Sequence, residues 1–246
     1  MTVVTSFVRP WLERLIELGF VERSVALGSY AFTALIPLLT VYGAVIEGAA
    51  FADRLSARFE LKGSAAESVH LAFAPPGTVE GSLTVLSVLL LIASALTLTR
   101  GLQRLYEAAY GLPALGLRGT KWGLLWLALA PVFLEVRALE AAVTDGLVEA
   151  VLSIAAGAAC WTITPWLLLG RRLGLRVLLP GGLLTAVAMS ALAVASIVYM
   201  PHSVGTSAAR YGVIGVAFAI LSWLIVCGFA LVGTAAAGAV IARRDP

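Results

Sequence analysis

Apolar residues in this chain gather into long runs separated by short polar segments. With a window of about 19 residues, charge-free runs extend from Ser24 to Ile46, Gly81 to Thr99, Ala150 to Gly170, Val177 to Met200 and Tyr211 to Ile241. A further run begins at Trp122 and stays uncharged to Leu134, where Glu135, Arg137 and Glu140 interrupt it before Asp145. A helix needs about 20 apolar residues to cross the ~30 Å hydrocarbon core of a bilayer. The pattern therefore predicts an all-α polytopic membrane bundle of six transmembrane helices, at about 24–46, 81–99, 122–142, 150–170, 177–200 and 211–241. The whole of 1–246 reads as a single integral membrane domain.

Two segments outside the runs have helical periodicity. Phe7, Trp11, Leu15, Leu18 and Val21 recur at helical spacing opposite Glu13, Arg14 and Glu17, as in a helix lying in the membrane interface or packing on its own bundle. This N-terminal stretch lacks the uninterrupted apolar core of a signal peptide, so the first span is expected to stay uncleaved. The loop 47–80 contains the amphipathic FADRLSARFEL and then the breakers Pro75, Pro76 and Gly77, which predicts a small extracytoplasmic cap.

Composition agrees with the lipid reading. The chain is 60% apolar and 13% charged, against roughly 45–50% and 25% for soluble domains, which excludes an ordinary water-soluble fold. The net charge of +3 comes from arginines beside apolar runs, not from a basic tract, so no nucleic-acid partner is expected. Lys and Arg in short loops mark the cytoplasmic side. Residues 1–23, the 100–121 loop, the 171–176 loop and the tail together hold twelve basic residues, whereas the opposite loops hold four, placing both termini in the cytoplasm. Cys160 and Cys227 lie in apolar runs without metal-ligand spacing and read as small buried hydrophobes. There is no P-loop, GxSxG or HExxH, and His70 and His202 read as loop residues without metal partners. No catalytic residue, metal or cofactor is expected.

The first span reads RSVALGSYAFTALIPLLTVYGAV, with Tyr30 and Pro37; the second ends LTLTRGLQRLYEAAYGLP, with Arg100, Leu105, Tyr106, Ala109 and Tyr110; the last reads RYGVIGVAFAILSWLIVCGFALVG. In these three places the chain resembles the YihY/BrkB family of bacterial inner-membrane proteins, once labelled ribonuclease BN. Tyr211, Gly212 and Gly215 carry the strongest match, to a Y-G-x-x-G motif. The chain departs from the family at Gly233, which leads into TAAAGAVIARR where family members carry an acidic or amide residue. The resemblance implies a six-span fold and a part in envelope integrity or in lipid or lipopolysaccharide export.

Charged and kinked positions within spans supply the candidate site. An intramembrane charge costs on the order of 2.5–3.5 kcal/mol on insertion scales and usually faces a bundle interior or water. Arg137 and Glu140 share a helix face and can pair, with Glu135 roughly opposite; the three sit either at the outer interface or in a polar cavity. Arg100, Arg104 and Glu107 fall on one face at the inner end of the second span, as an anchor or a headgroup contact. Arg210 and Tyr211 open the last span. Pro37 predicts a kink in the first span, with Tyr30 and Thr33 nearby. Gly233, Ala237 and Gly238 form a small-residue face for close helix contact, within the bundle or between copies in a homo-oligomer.

These features predict a transporter or exporter of lipid-like or amphiphilic envelope molecules, acting through a polar cavity between the first, second, third and sixth spans. The alternative is a non-transporting envelope-integrity scaffold that binds a partner protein. Membrane lipids are the expected partners under either. Ribonuclease activity does not fit, because it would need carboxylates or histidines with a metal beside a basic groove.

Overall fold

The computed structural model describes residues 2–45, 81–129 and 147–243. These residues are helical nearly throughout and include no strand, so the fold is all-α. Helix α1 is Thr2–Glu17, α2 is Phe20–Val45 and α3 is Gly81–Ala109. A 3-10 turn, Gly116–Gly119, leads into α4, whose described part is 120–129. Then come α5, Leu147–Leu168, and a helical run Leu175–Ala242 that Gly212 divides into α6 (175–211) and α7 (213–242). Val88–Ala109 and Leu175–Ala242 are long and apolar enough to cross a membrane, and Leu152–Leu168 is a shorter apolar helix. The predicted cap loop and the outer part of the third span lie outside the described residues.

Helix ends follow local chemistry. After α5, Gly170 takes φ 65°; its N–H bonds the Leu167 carbonyl at 2.8 Å, and the Arg171 N–H bonds the Trp166 carbonyl at 2.9 Å. This is a Schellman cap, which needs a left-handed residue that glycine provides without a Cβ clash. Gly111 ends α3 in the same way, and Gly19 ends α1 with φ 63° and its N–H on the Ile16 carbonyl at 3.0 Å.

The largest departure from the sequence expectation lies between the fifth and sixth spans. A loop was expected at 201–210, yet helix continues through these residues, including His202, which is exposed on α6 and not in a loop. The chain instead breaks at Gly212, with φ 58° and ψ −140°, a conformation essentially restricted to glycine. Gly215 then lies against the Ser207 carbonyl, so α7 doubles back on α6. Met200, Val204 and Ala208 of α6 pack with Val216 and Ala219 of α7, and Tyr199 stacks on Trp223 at 5.5 Å. Apolar packing from 200 onward keeps the segment helical, and the turn shrinks to the residue that can make it.

The chain divides into two compact units. The first comprises Met1–Leu27, Thr99–Ala191 and Cys227–Pro246; the second comprises Gly28–Leu98 and Leu192–Val226. In the first, α1 packs on the protein itself. Leu15 and Leu18 are buried, Trp11 donates from Nε1 to the Gly233 carbonyl at 3.0 Å, and Phe20 meets Phe229 with ring centroids 5.0 Å apart. Val21 drops out of the expected apolar face and is exposed, because the Gly19 turn starts a new helix and resets the phase. Gly238 meets Gly181 backbone to backbone, so the small-residue face serves contact between α6 and α7. Cys160 and Cys227 are half-buried and not joined in a disulfide.

In the second unit, Gly28 takes the Ile225 backbone so closely that a Cβ would sit 2.7 Å from the Ile225 nitrogen. Many large apolar side chains face outward there, including Val198 at 79%, Ile214 at 67% and Phe218 at 65% exposure. Across the two span-length helical windows only 22% is buried inside the protein.

Candidate functional site

Tyr30 and Thr33 on α2 and Ala93, Ser94 and Thr97 on α3 line a cleft of about 140 Å³ in the second unit. The helical spacings 30/33 and 94/97 bring one polar pair from each helix to the same place, amid a run whose other members include Leu89, Leu90 and Ile92. The Thr33 hydroxyl donates to the Ser29 carbonyl at 2.8 Å, and the Thr97 hydroxyl donates to the Ala93 carbonyl at 2.8 Å. Each threonine thereby settles its own proton within its helix and keeps oxygen lone pairs for an incoming donor. The volume suits a few waters, at ~30 Å³ each, or one small polar group. Hydroxyls alone offer hydrogen bonding without a charge, a general base or a metal ligand set. Among the described residues no three His, Cys, Asp or Glu side chains gather as a metal site.

A second polar centre lies in the first unit. Glu107 is buried near the end of α3, and its Oε1 accepts from the Leu115 N–H at 2.8 Å, from Gln103 Nε2 at 3.2 Å and from Arg172 Nη2 at 3.2 Å. Arg172 also donates to the carbonyls of Leu169 at 2.8 Å and Pro113 at 2.6 Å. A single carboxylate thus joins α3, the 112–115 segment and the end of α5. Three protein donors converge on this one carboxylate oxygen, which makes Glu107 a clasp between these segments.

The candidate residues scatter over these surroundings. Tyr30 lines the cleft. Arg100 donates from Nη2 to the Thr120 hydroxyl at 2.9 Å, and the exposed Arg104 offers its carbonyl to Arg23 at 3.5 Å; both belong to the first unit. Among the described ion pairs Glu107 is joined to Arg172 and to neither of these two arginines. Arg210 and Tyr211 are exposed at the α6–α7 turn, in the same unit as the cleft but not among its lining. The α2 backbone stays helical through Pro37 to Val45, and the Pro37 side chain lies outside the described side chains. Glu135, Arg137 and Glu140 lie outside the described residues altogether. The cleft is lined by α2 and α3, from the segments read as the first and second spans.

Ser94 and Thr97 were not singled out from sequence, because a search for intramembrane charge passes over hydroxyls; their signal was an i, i+3 polar pair within an apolar run. Arg172 was counted only as a loop cation, and nothing in the doublet Arg171–Arg172 tells which member turns inward.

No known protein family, curated protein or solved structure matches this chain.

Proposed function

We propose that this chain is a six-span bacterial inner-membrane protein of the YihY/BrkB type, with both termini cytoplasmic, that moves lipid-like or amphiphilic envelope molecules along a polar track in its helix bundle. The observation that carries the proposal is the hydroxyl-lined cleft at Tyr30, Thr33, Ser94 and Thr97, set in helices whose outward surface is apolar. In water, an outward row such as Val198, Ile214 and Phe218 would be an aggregation patch; in lipid it is the solvated face. The α6–α7 turn supplies two antiparallel passes from one helical run. At ~1.5 Å per residue α6 is about 55 Å long, enough to cross the ~30 Å core with a turn or more to spare. A lipid whose polar head must traverse that core needs hydrogen-bonding groups along the way, and uncharged hydroxyls bind such a head without trapping it.

The test is reconstitution into vesicles carrying labelled phospholipid. Wild type is expected to accelerate lipid movement between leaflets, and Tyr30→Phe with Ser94→Ala and Thr97→Val to slow it at unchanged protein content. Arg137→Ala and Arg210→Ala extend the same assay to the charged candidates. No protein-dependent movement under any imposed gradient overturns the proposal and leaves the scaffold alternative, which retention of a partner protein by these variants would identify.

A further inference from the structure

The end of α5 and the start of α4 bring together cations and indoles that the proposed transport does not use. The Arg171 guanidinium lies 4.5 Å from the ring centroid of Trp166 and 5.2 Å from that of Trp122, and the Lys121 ammonium lies 5.4 Å from the Trp122 ring. Arg171 also has φ 62°, the only non-glycine residue with positive φ among those described. A left-handed backbone is unfavourable for a residue other than glycine. That conformation follows directly on the Gly170 cap and swings the guanidinium back over the two indoles.

Among the described residues no carboxylate pairs with the charges in this cluster. Glu107 is taken by Arg172, and neither Arg171 nor Lys121 has a side-chain acceptor among the described residues. Stacking uses the flat faces of a guanidinium and leaves its edge N–H groups free, in a fork that matches two oxygens of a phosphate. Both cations are exposed, while Trp122 and Trp166 are half-buried and hold them in place. An indole with an apolar body and a polar edge is also the side chain that settles at headgroup depth.

We propose that Arg171 and Lys121, arranged about Trp122, form a binding site for a phosphate group, supplied by an anionic lipid headgroup or by free phosphate. Arg171 receives the phosphate through its N–H edge and Lys121 neutralises the remaining charge. The placement of Arg171 by two rings separates this site from general attraction between loop cations and an anionic surface, which would require neither the stacking nor the unusual backbone. The lipid source rests on the membrane reading given above; the phosphate chemistry does not.

The test uses the full chain in an uncharged detergent, titrated with short-chain phosphatidylglycerol, short-chain phosphatidylcholine and inorganic phosphate, with bound molecules counted by native mass spectrometry. Phosphatidylglycerol is expected to bind saturably and more tightly than phosphatidylcholine. R171G, which removes the cation where glycine takes the backbone angle freely, and K121A are each expected to weaken binding about tenfold, the scale of one lost charge-assisted contact. R176A removes the same unit of charge from an exposed position on α6 outside the aromatic cluster and is expected to leave binding within a factor of about two. Displacement by inorganic phosphate at matched affinity identifies free phosphate as the ligand; failure to displace identifies the lipid headgroup. Equal losses in R176A and R171G, or no preference for the anionic lipid together with no phosphate binding, overturn the proposal. Monodispersity without detergent would overturn the membrane reading alone, since the phosphate titration stands without it.

Discussion

Arg172 and Glu107 stand 65 residues apart in sequence and 3.2 Å apart in space, with the carboxylate 7% and the guanidinium 25% exposed. Among the described ion pairs theirs is the most enclosed; Arg9–Glu13, at 3.0 Å, is open to solvent on both sides. The value of the Glu107 pair lies in what each partner prevents. A buried carboxylate without its cation is more costly than a buried pair.

Glu107→Ala is therefore expected to lower stability by about 3 kcal/mol, because it also strands the Leu115 N–H and the Gln103 amide. Glu107→Gln, which keeps an acceptor oxygen, is expected to lose less. Thermal unfolding in detergent measures both, and losses under ~0.5 kcal/mol for the two variants would show that the clasp contributes nothing.

Gly212 and Gly205 give a matched pair on the α6–α7 hairpin. A Cβ at either position would meet nothing within 4 Å, so only backbone conformation separates them. Gly212→Ala forces a side chain into φ 58°, ψ −140° and is expected to cost about 1–3 kcal/mol. Gly205→Ala lies within regular helix and is expected to stabilise by up to ~1 kcal/mol. Opposite signs in unfolding midpoints confirm the turn, whereas equal effects would remove Gly212 from it.

Arg14 ties α1 to the end of α3. Its Nη2 donates to the carbonyls of Ala108 at 2.5 Å and Ala109 at 2.9 Å, where the helix leaves acceptors unfilled and its dipole favours a cation. Arg14→Ala is expected to cost about 2 kcal/mol, with Arg14→Lys recovering part of it, since an ammonium keeps the charge but not the fork. Hydrogen exchange should then report faster opening of 106–112 in the alanine variant.

The Tyr110 hydroxyl lies where α6 and α7 approach, close to Gly181 and Gly238, and burial pushes its pKa from 10.0 up to about 12. Folding favours the neutral phenol, so the unfolded chain releases this proton first. The contribution is fully present below pH 10, is lost progressively as pH rises towards about 12, and does not vary near neutrality. Tyr110→Phe is expected to flatten the decline in melting temperature over that interval. An unchanged alkaline limb would show that Tyr110 is not its source.

Much of the fold was legible as hydropathy. Apolar runs predicted α2, α3, α5 and the two arms of the 175–242 run to within a few residues at most ends, because a helix-length apolar segment has few other stable states. The N-terminal amphipathic helix was legible too, except at Val21, where an αL glycine resets the phase. Pro201, Gly205 and the polar residues around them predict a loop at 201–210, whereas the segment is helical. Local composition did not reveal that Met200, Val204 and Ala208 would be covered by α7.

For the cleft, the kink expected at Pro37 points to Tyr30 and Thr33, whereas Ser94 and Thr97 carry no charge or kink of their own and reach the cleft only because α2 lies beside them. Periodicity placed Glu107 on a face with Arg100 and Arg104, and it could not report a partner 65 residues away.

Sequence alone determined that this chain is helical, where its long apolar stretches lie, and that it carries no familiar catalytic motif. These properties follow from the order of residues along one dimension, through helix period and transfer energy. Tertiary structure decided that Arg172 turns inward to Glu107 while Arg171 turns outward over Trp122 and Trp166, that hydroxyls from α2 and α3 share a cleft, and that the last turn closes on Gly212. Such choices depend on which helices become neighbours, and neighbouring arginines with the same propensity and charge differ only in what the fold sets before them.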